Sequence, residues 1–311
     1  MQRFFMLKPD KLTKQIFEFC LAYSASEYKV WPIAWVVMSN HYHLIVYDPD
    51  GCVPAFTQHF NRLLASVFNA RWNRSENFWS SDEPCITRLA TEADVLAKIA
   101  YVLANPVTAK LVDRVADWPG SSSLPFLDGQ TRRIARPGFY FGKKRSVVPL
   151  FVELAIFQPL GSSEKESFAD WTNAIREIVA KIDADAQALR KVDPKFRSLG
   201  ITAILATKHT DQPARKDDEP PSRKLRPRLA CGHKETRLAL IDEELEFQFQ
   251  RRMAREELLT DPHVVFPKGT YRLPAGAVIG KRAPLPAGRV THPKRFPCDD
   301  IESTAPFANV A

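Results

Sequence analysis

Residues 31–38 (WPIAWVVM) and 42–47 (YHLIVY) are two runs dense in β-branched and aromatic side chains, with only Ser39, Asn40 and His41 between them. So short a connection leaves no room for a crossover, and the two runs must pair as antiparallel strands. That hairpin commits the chain to a sheet, and the flanking sequence says what covers it. Residues 11–25 place Leu12, Ile16, Phe17, Phe19, Cys20 and Tyr23 at helical spacing, with Asp10 positioned as the cap. Residues 53–72 place Val53, Phe56, Phe60, Leu63, Leu64, Val67 and Phe68 on one apolar stripe. Residues 3–7 (RFFML) and 85–89 (CITRL) read as a first and a fourth strand. Thr91 caps a further helix over 92–105, which Pro106 ends. The order, strand–helix–strand–strand–helix–strand plus a helix, is an α+β arrangement of the ferredoxin-like, split βαβ kind.

The hairpin also carries chemistry. His41 and His43 are two residues apart, so on a strand they share a face, about 7 Å apart along the chain, while Tyr42 and Leu44 face the other way. Imidazole is a common ligand of catalytic divalent metals, although such a pair alone more often just lines the solvent side of a strand. In YVLANPVTAKLV, Tyr101 and Asn105 stand at i and i+4, neighbours on one helical face. An amide oxygen beside two imidazoles suits Mg²⁺ or Mn²⁺ better than zinc. A phenol beside such an ion is a candidate nucleophile toward a phosphodiester. Taken alone, the helix pair also reads as a half-buried tyrosine and a terminal asparagine. His59 and Cys231-Gly232-His233 lack the companions that would complete a metal site, and Asp82-Glu83 reads first as a turn before Pro84.

In order along the chain, MSNHYHLIVY, a long helix ending FNARW, then ENFW, YVLANPVTAKLV and DWPGSS resemble the single-tyrosine HUH transposases. The nearest group in kind is the REP-associated tyrosine transposases of the insertion-sequence two-hundred type. The resemblance spans residues 1–125. It implies that His41 and His43 are the histidine ligands, Asn105 the amide ligand, and Mg²⁺ or Mn²⁺ the cofactor. It implies that Tyr101 attacks a DNA phosphate, giving a 5′-phosphotyrosine and a free 3′-hydroxyl, and that reversal on another strand rejoins DNA. The implied substrate is single-stranded or hairpin DNA, and the implied activity is that of a metal-dependent single-strand endonuclease and transposase. The alternatives are a domesticated, catalytically silent hairpin-binding protein and, more distantly, an enzyme acting on small phosphorylated substrates. Two features depart from the pattern. The opening QRFFMLKPD lacks the His- or Arg-containing first strand the pattern calls for, Arg3 being its only candidate, and residues 1–125 carry twelve basic and twelve acidic residues.

The net charge of +8 therefore resides in residues 126–311, and attraction to a polyanion is expected there. Residues 131–145 (TRRIARPGFYFGKKR) interleave six basic residues with three aromatic ones and no acidic one. Arg132, Arg133, Lys143, Lys144 and Arg145 could track phosphates while the rings stack on bases. A surface arm whose aromatics pack on the domain reads equally well. The remainder divides into a basic, largely helical extension (126–207), a flexible linker (208–230), a small region (231–283) with a charged helix over 234–259, and a proline-rich tail (284–311). Five cysteines without a Cys-x-x-Cys point to reduced thiols in a cytoplasmic protein. No apolar run approaches the roughly 20 residues of a membrane span, and no apolar signal core follows Met1. The expected partner is DNA rather than a membrane, with the protein a monomer or a homodimer.

Overall fold

The hairpin organises the molecule. β1 (Trp31–Val37) and β2 (Tyr42–Tyr47) pair antiparallel, from Trp31 opposite Tyr47 to Val37 opposite Tyr42. The register shifts between Pro32 and Ala34, where proline supplies no N–H to the ladder. The computed structural model describes residues 4–80, 84–141, 148–158, 168–213, 227–261, 263–270, 278–279 and 307–310.

Two helices cover one face of the hairpin. α1 (Lys11–Tyr28) starts where the Asp10 carboxylate accepts from the Thr13 N–H at 2.8 Å. α2 (Val53–Arg71) packs beside it, and Arg71 closes the pair by reaching Asp10 at 2.6 Å. Phe17 of α1 meets Tyr42 and Phe60 edge-on, at 5.5 and 5.3 Å between ring centroids. The even-numbered residues of β2 thus face α1 and α2, and the odd-numbered ones face away. The other face is crossed by α3 (Glu92–Thr108), which follows β3 (Ile86–Leu89). Beyond α3, β4 (Arg132–Ala135) and β5 (Phe151–Leu154) form a separate antiparallel ribbon. It is anchored to α1 by a hydrogen bond from Gln15 Nε2 to the Ala135 carbonyl at 2.9 Å. α4 (Phe168–Val192) packs along α3.

The rest of the chain returns to the sheet. α5 (Ile201–Ala206), β6 (Leu229–Ala230), α6 (Lys234–Glu257), β7 (Val265–Phe266), β8 (Val278–Ile279) and β9 (Phe307–Val310) follow in order. The main sheet runs β1-β2-β9-β3-β6. β9 is antiparallel to both neighbours, with Val310 opposite Leu44 on one side and Ile86 on the other. β6 extends the edge parallel to β3. One hydrophobic core runs from Met6 to Ile204, and Ala254, Val264 and Phe266 form a second, small one.

Several expectations change. Residues 4–7 form turns and no strand, with Met6 and Leu7 fully buried and the Phe5 and Leu7 N–H groups donating to the Asp211 and Ser39 carbonyls. The apolar run there reports burial, not pairing, and the sheet position between β2 and β3 is held by β9. α3 does not stop at Asn105 but continues through Pro106 to Thr108. The largely helical extension expected over 126–207 opens with the β4–β5 ribbon, and its helices α4 and α5 are separated by a 3-10 turn, Pro194–Phe196. Of the expected linker, residues 214–226 lie outside the described residues. Within the expected tail, Phe307–Val310 sit in the main sheet. Among the described residues no helix is long and apolar enough to cross a membrane, and Cys20, Cys52, Cys85 and Cys231 are free thiols.

Candidate active site

β2 and α3 bring the two sequence motifs together. His43 points off the odd face of β2, which is the face α3 crosses, and its ring lies 5.5 Å from that of Tyr101 and 5.0 Å from that of His41. His41 sits at the hairpin turn, its Nδ1 held 2.7 Å from Asn40 Oδ1. α3 is fixed at its start by a reciprocal cap, in which Thr91 accepts from the Asp94 N–H and Asp94 accepts from the Thr91 N–H. That cap sets the rotation of the helix and places Tyr101 at the surface, 51% exposed, above a His43 that is 8% exposed.

Asn105 is oriented by its neighbour in sequence. Pro106 has no N–H, so the Val102 carbonyl lacks the i+4 donor that a regular helix would supply. The Asn105 side-chain amide turns back toward this gap, donating to the Tyr101 carbonyl at 2.7 Å and lying 3.4 Å from that of Val102. With its nitrogen so engaged, the oxygen is the Asn105 atom left free to accept or to ligate, and the side chain lies near enough to His43 to favour its protonated form slightly.

Burial is the main influence on both imidazoles. Desolvation, then the nearby charges of His41 and Lys98, push the His43 pKa down to about 3. His41 is open to solvent on one side, yet the protein packed around the rest of it also lowers its pKa. Both rings are therefore neutral near pH 7, and neutral imidazole is the form that offers a lone pair. His43 Nδ1 is buried without a hydrogen-bond partner, an unusual cost in a folded protein. Among the described residues no three His, Cys, Asp or Glu side chains cluster as a metal site. The set here is different: two imidazole nitrogens and one amide oxygen, which fit a divalent cation that accepts mixed nitrogen and oxygen ligands.

The basic candidates lie elsewhere. Arg132 and Arg133 are on β4, against α1 and on the opposite side of the sheet from Tyr101. Arg132 pairs with Asp128 at 2.8 Å and stands over Phe126, and Arg133 stacks 3.8 Å above Phe151. Phe141 is buried against Phe19, whereas Phe139 is exposed. Lys143, Lys144 and Arg145 lie outside the described residues, as do Asp82 and Glu83. His59 is a hydrogen-bond partner of Ser24, and His233 caps α6 through the Thr236 N–H. Sequence reading passed over Lys98, whose Nζ lies 4.2 Å from the centre of the Tyr101 ring. Its i−3 spacing from Tyr101 was the available signal.

Comparison with protein-family models, curated proteins and solved structures finds no match to this chain. The functional reading therefore stands on the residues and their geometry.

Proposed function

We propose that the chain is a single-tyrosine HUH-type transposase of the REP-associated group, cleaving and rejoining single-stranded DNA through Tyr101. The observation that carries this reading is the meeting of His41, His43, Tyr101 and Asn105 from two separate motifs. The strand order also favours it. In a split βαβ fold the first strand lies between the third and fourth, antiparallel to both. Here β9 occupies that place between β2 and β3, with α1 and α2 together on one face, an arrangement that favours a ferredoxin-like frame whose central strand would come from the far end of the sequence.

His41, His43 and Asn105 would hold Mg²⁺ or Mn²⁺. When bound, such an ion polarises the scissile phosphate and neutralises developing charge. Tyr101 stands half-exposed, where a strand can approach and its phenolic proton can leave to solvent. Its oxygen attacks phosphorus, a Tyr–O–P bond forms, and the bond to the 3′ oxygen breaks. The departing oxygen takes up a proton as a 3′-hydroxyl. The reverse attack by a 3′-hydroxyl restores a phosphodiester, so the bond energy is retained and no nucleotide cofactor is consumed.

The test is covalent capture: protein, Mn²⁺ or Mg²⁺, and labelled single-stranded hairpin DNA from the gene's own flanks, with Tyr101→Phe alongside. The expected result is a metal-dependent protein–DNA band that the variant lacks. DNA binding with no band, across several hairpins and both metals, would instead identify a catalytically silent DNA-binding protein.

A further inference from the structure

Lys98 stands one turn before Tyr101 on the same face of α3. Its ammonium lies 4.2 Å from the centre of the Tyr101 ring, and its charge is felt by His43. Lys98 is only partly exposed, and burial works against its charged form. A half-desolvated cation is ordinarily matched by a carboxylate. Among the described residues none stands within ion-pair distance of Lys98. The groups around it are the Tyr101 ring face and the Cys85 thiol, with the His43 imidazole near enough to feel its charge. The ring face offsets only part of the desolvation. Among the described residues the site thus presents positive charge with no negative partner of its own, beside the half-exposed Tyr101 hydroxyl.

We propose that Lys98 is a substrate-binding cation that pairs with a non-bridging oxygen of the DNA phosphate presented to Tyr101. This rests on the reading of the site as one that engages single-stranded DNA. It assigns to α3 two duties along one stripe: Lys98 holds the phosphate and Tyr101 attacks it. It also supplies a positive contact where residues 1–125 have no basic excess. A lysine suits the place better than an arginine fork would, since one point charge on a flexible stem can follow the phosphate as its geometry changes.

The experiment measures affinity for a fluorescent single-stranded hairpin oligonucleotide as a function of NaCl concentration. It uses the full chain with Mn²⁺ in the Tyr101→Phe background, so that no covalent product accumulates. Lys98→Met should weaken binding several-fold and reduce the slope of log K against log[salt] by about 0.7, the value for one phosphate contact on a single strand. Lys98→Arg should keep the slope, because the charge is kept. Mn²⁺ affinity should fall in neither, whereas a general disturbance of the site would lower it. An unchanged slope in Lys98→Met overturns the proposal, as does a slope that falls equally with arginine. The test separates this inference from the proposed chemistry. Binding with the expected slope change but no adduct in the Tyr101-containing protein sustains Lys98 and refutes the nuclease. An adduct with no slope change does the reverse. Absence of any DNA binding sinks both.

Discussion

The two faces of β2 treat buried polar groups in opposite ways. On the even face the Tyr42 hydroxyl donates to Asn61 Oδ1 at 2.8 Å, and its ring is enclosed by Phe17, Phe60 and Trp79. Burial drives the Tyr42 pKa upward, so that phenol stays protonated and inert. One residue along, His43 faces α3 with a buried nitrogen that has no partner, beside a second tyrosine that is left half in water. The even face satisfies every polar atom it encloses at Tyr42, and the odd face leaves one open. Burial alone does not mark a functional residue. Burial together with an unmet hydrogen bond, next to an exposed hydroxyl, marks a candidate for one.

Substitutions on the odd face should therefore remove chemistry and spare the fold, and those on the even face should do the reverse. The largest effect expected is from Tyr101→Phe, which abolishes the covalent adduct. Its stability in chemical denaturation should stay within about 0.5 kcal/mol of the parent, as for other exposed positions. His43→Ala comes next, with Mn²⁺ affinity, followed by quenching or magnetic resonance, falling at least about 10-fold. On the even face Tyr42→Phe should leave Mn²⁺ affinity unchanged while costing about 1–2 kcal/mol, because Asn61 Oδ1 loses its donor. A Tyr42→Phe variant that lost metal binding, or a His43→Ala variant that kept it, would break the contrast between the faces.

Acid sharpens the same comparison. The folded pKa of His43 lies near 3, below the roughly 6.5 of an unfolded histidine. Between those values the unfolded chain binds more protons, so stability must rise with pH through that window and fall as the pH drops through it. His41 acts in the same direction. Glu18, buried on the α1 side where it accepts from Ser121, has a raised pKa and acts in the opposite sense. Its neutral form favours the fold at low pH, and that contribution is lost as the pH rises above about 4.5. Denaturant midpoints measured from pH 7 to pH 4 should decline less in His43→Ala than in the parent. The smallest effect belongs to Pro106→Ala. Restoring an N–H for the Val102 carbonyl frees the Asn105 amide to rotate, and Mn²⁺ affinity should fall a few-fold with the helix intact. No change there would mean that Pro106 does not orient Asn105.

Much of this is legible in the sequence itself. The hairpin, α1, α2 and α3 follow from periodicity and from caps at Asp10 and Thr91, because those signals are local. The four site residues were readable as candidates from their spacing, two on a strand and two on a helix. What the sequence could not convey was non-local. Nothing in RFFML distinguishes a buried turn from a paired strand, since both need apolar side chains. Nothing near FANV at residues 307–310 announces a place in the middle of a sheet whose neighbours lie more than two hundred residues earlier. Pro106 read as a stop because proline forfeits a hydrogen bond. The compensating donor is the side chain of the preceding residue, a detail visible only once Asn105 is seen to turn back.

The most direct test of the account is to locate the attachment itself. After incubation with Mn²⁺ and hairpin DNA, nuclease trimming and tryptic digestion, mass spectrometry should find a nucleotide on the peptide of residues 99–110, in which Tyr101 is the one tyrosine. Modification confined to Tyr101 and dependent on the metal is the predicted result. A nucleotide on any other residue, Tyr140 or an active-site-remote serine included, would contradict the claim that the odd face of β2 and α3 form one DNA-cleaving site.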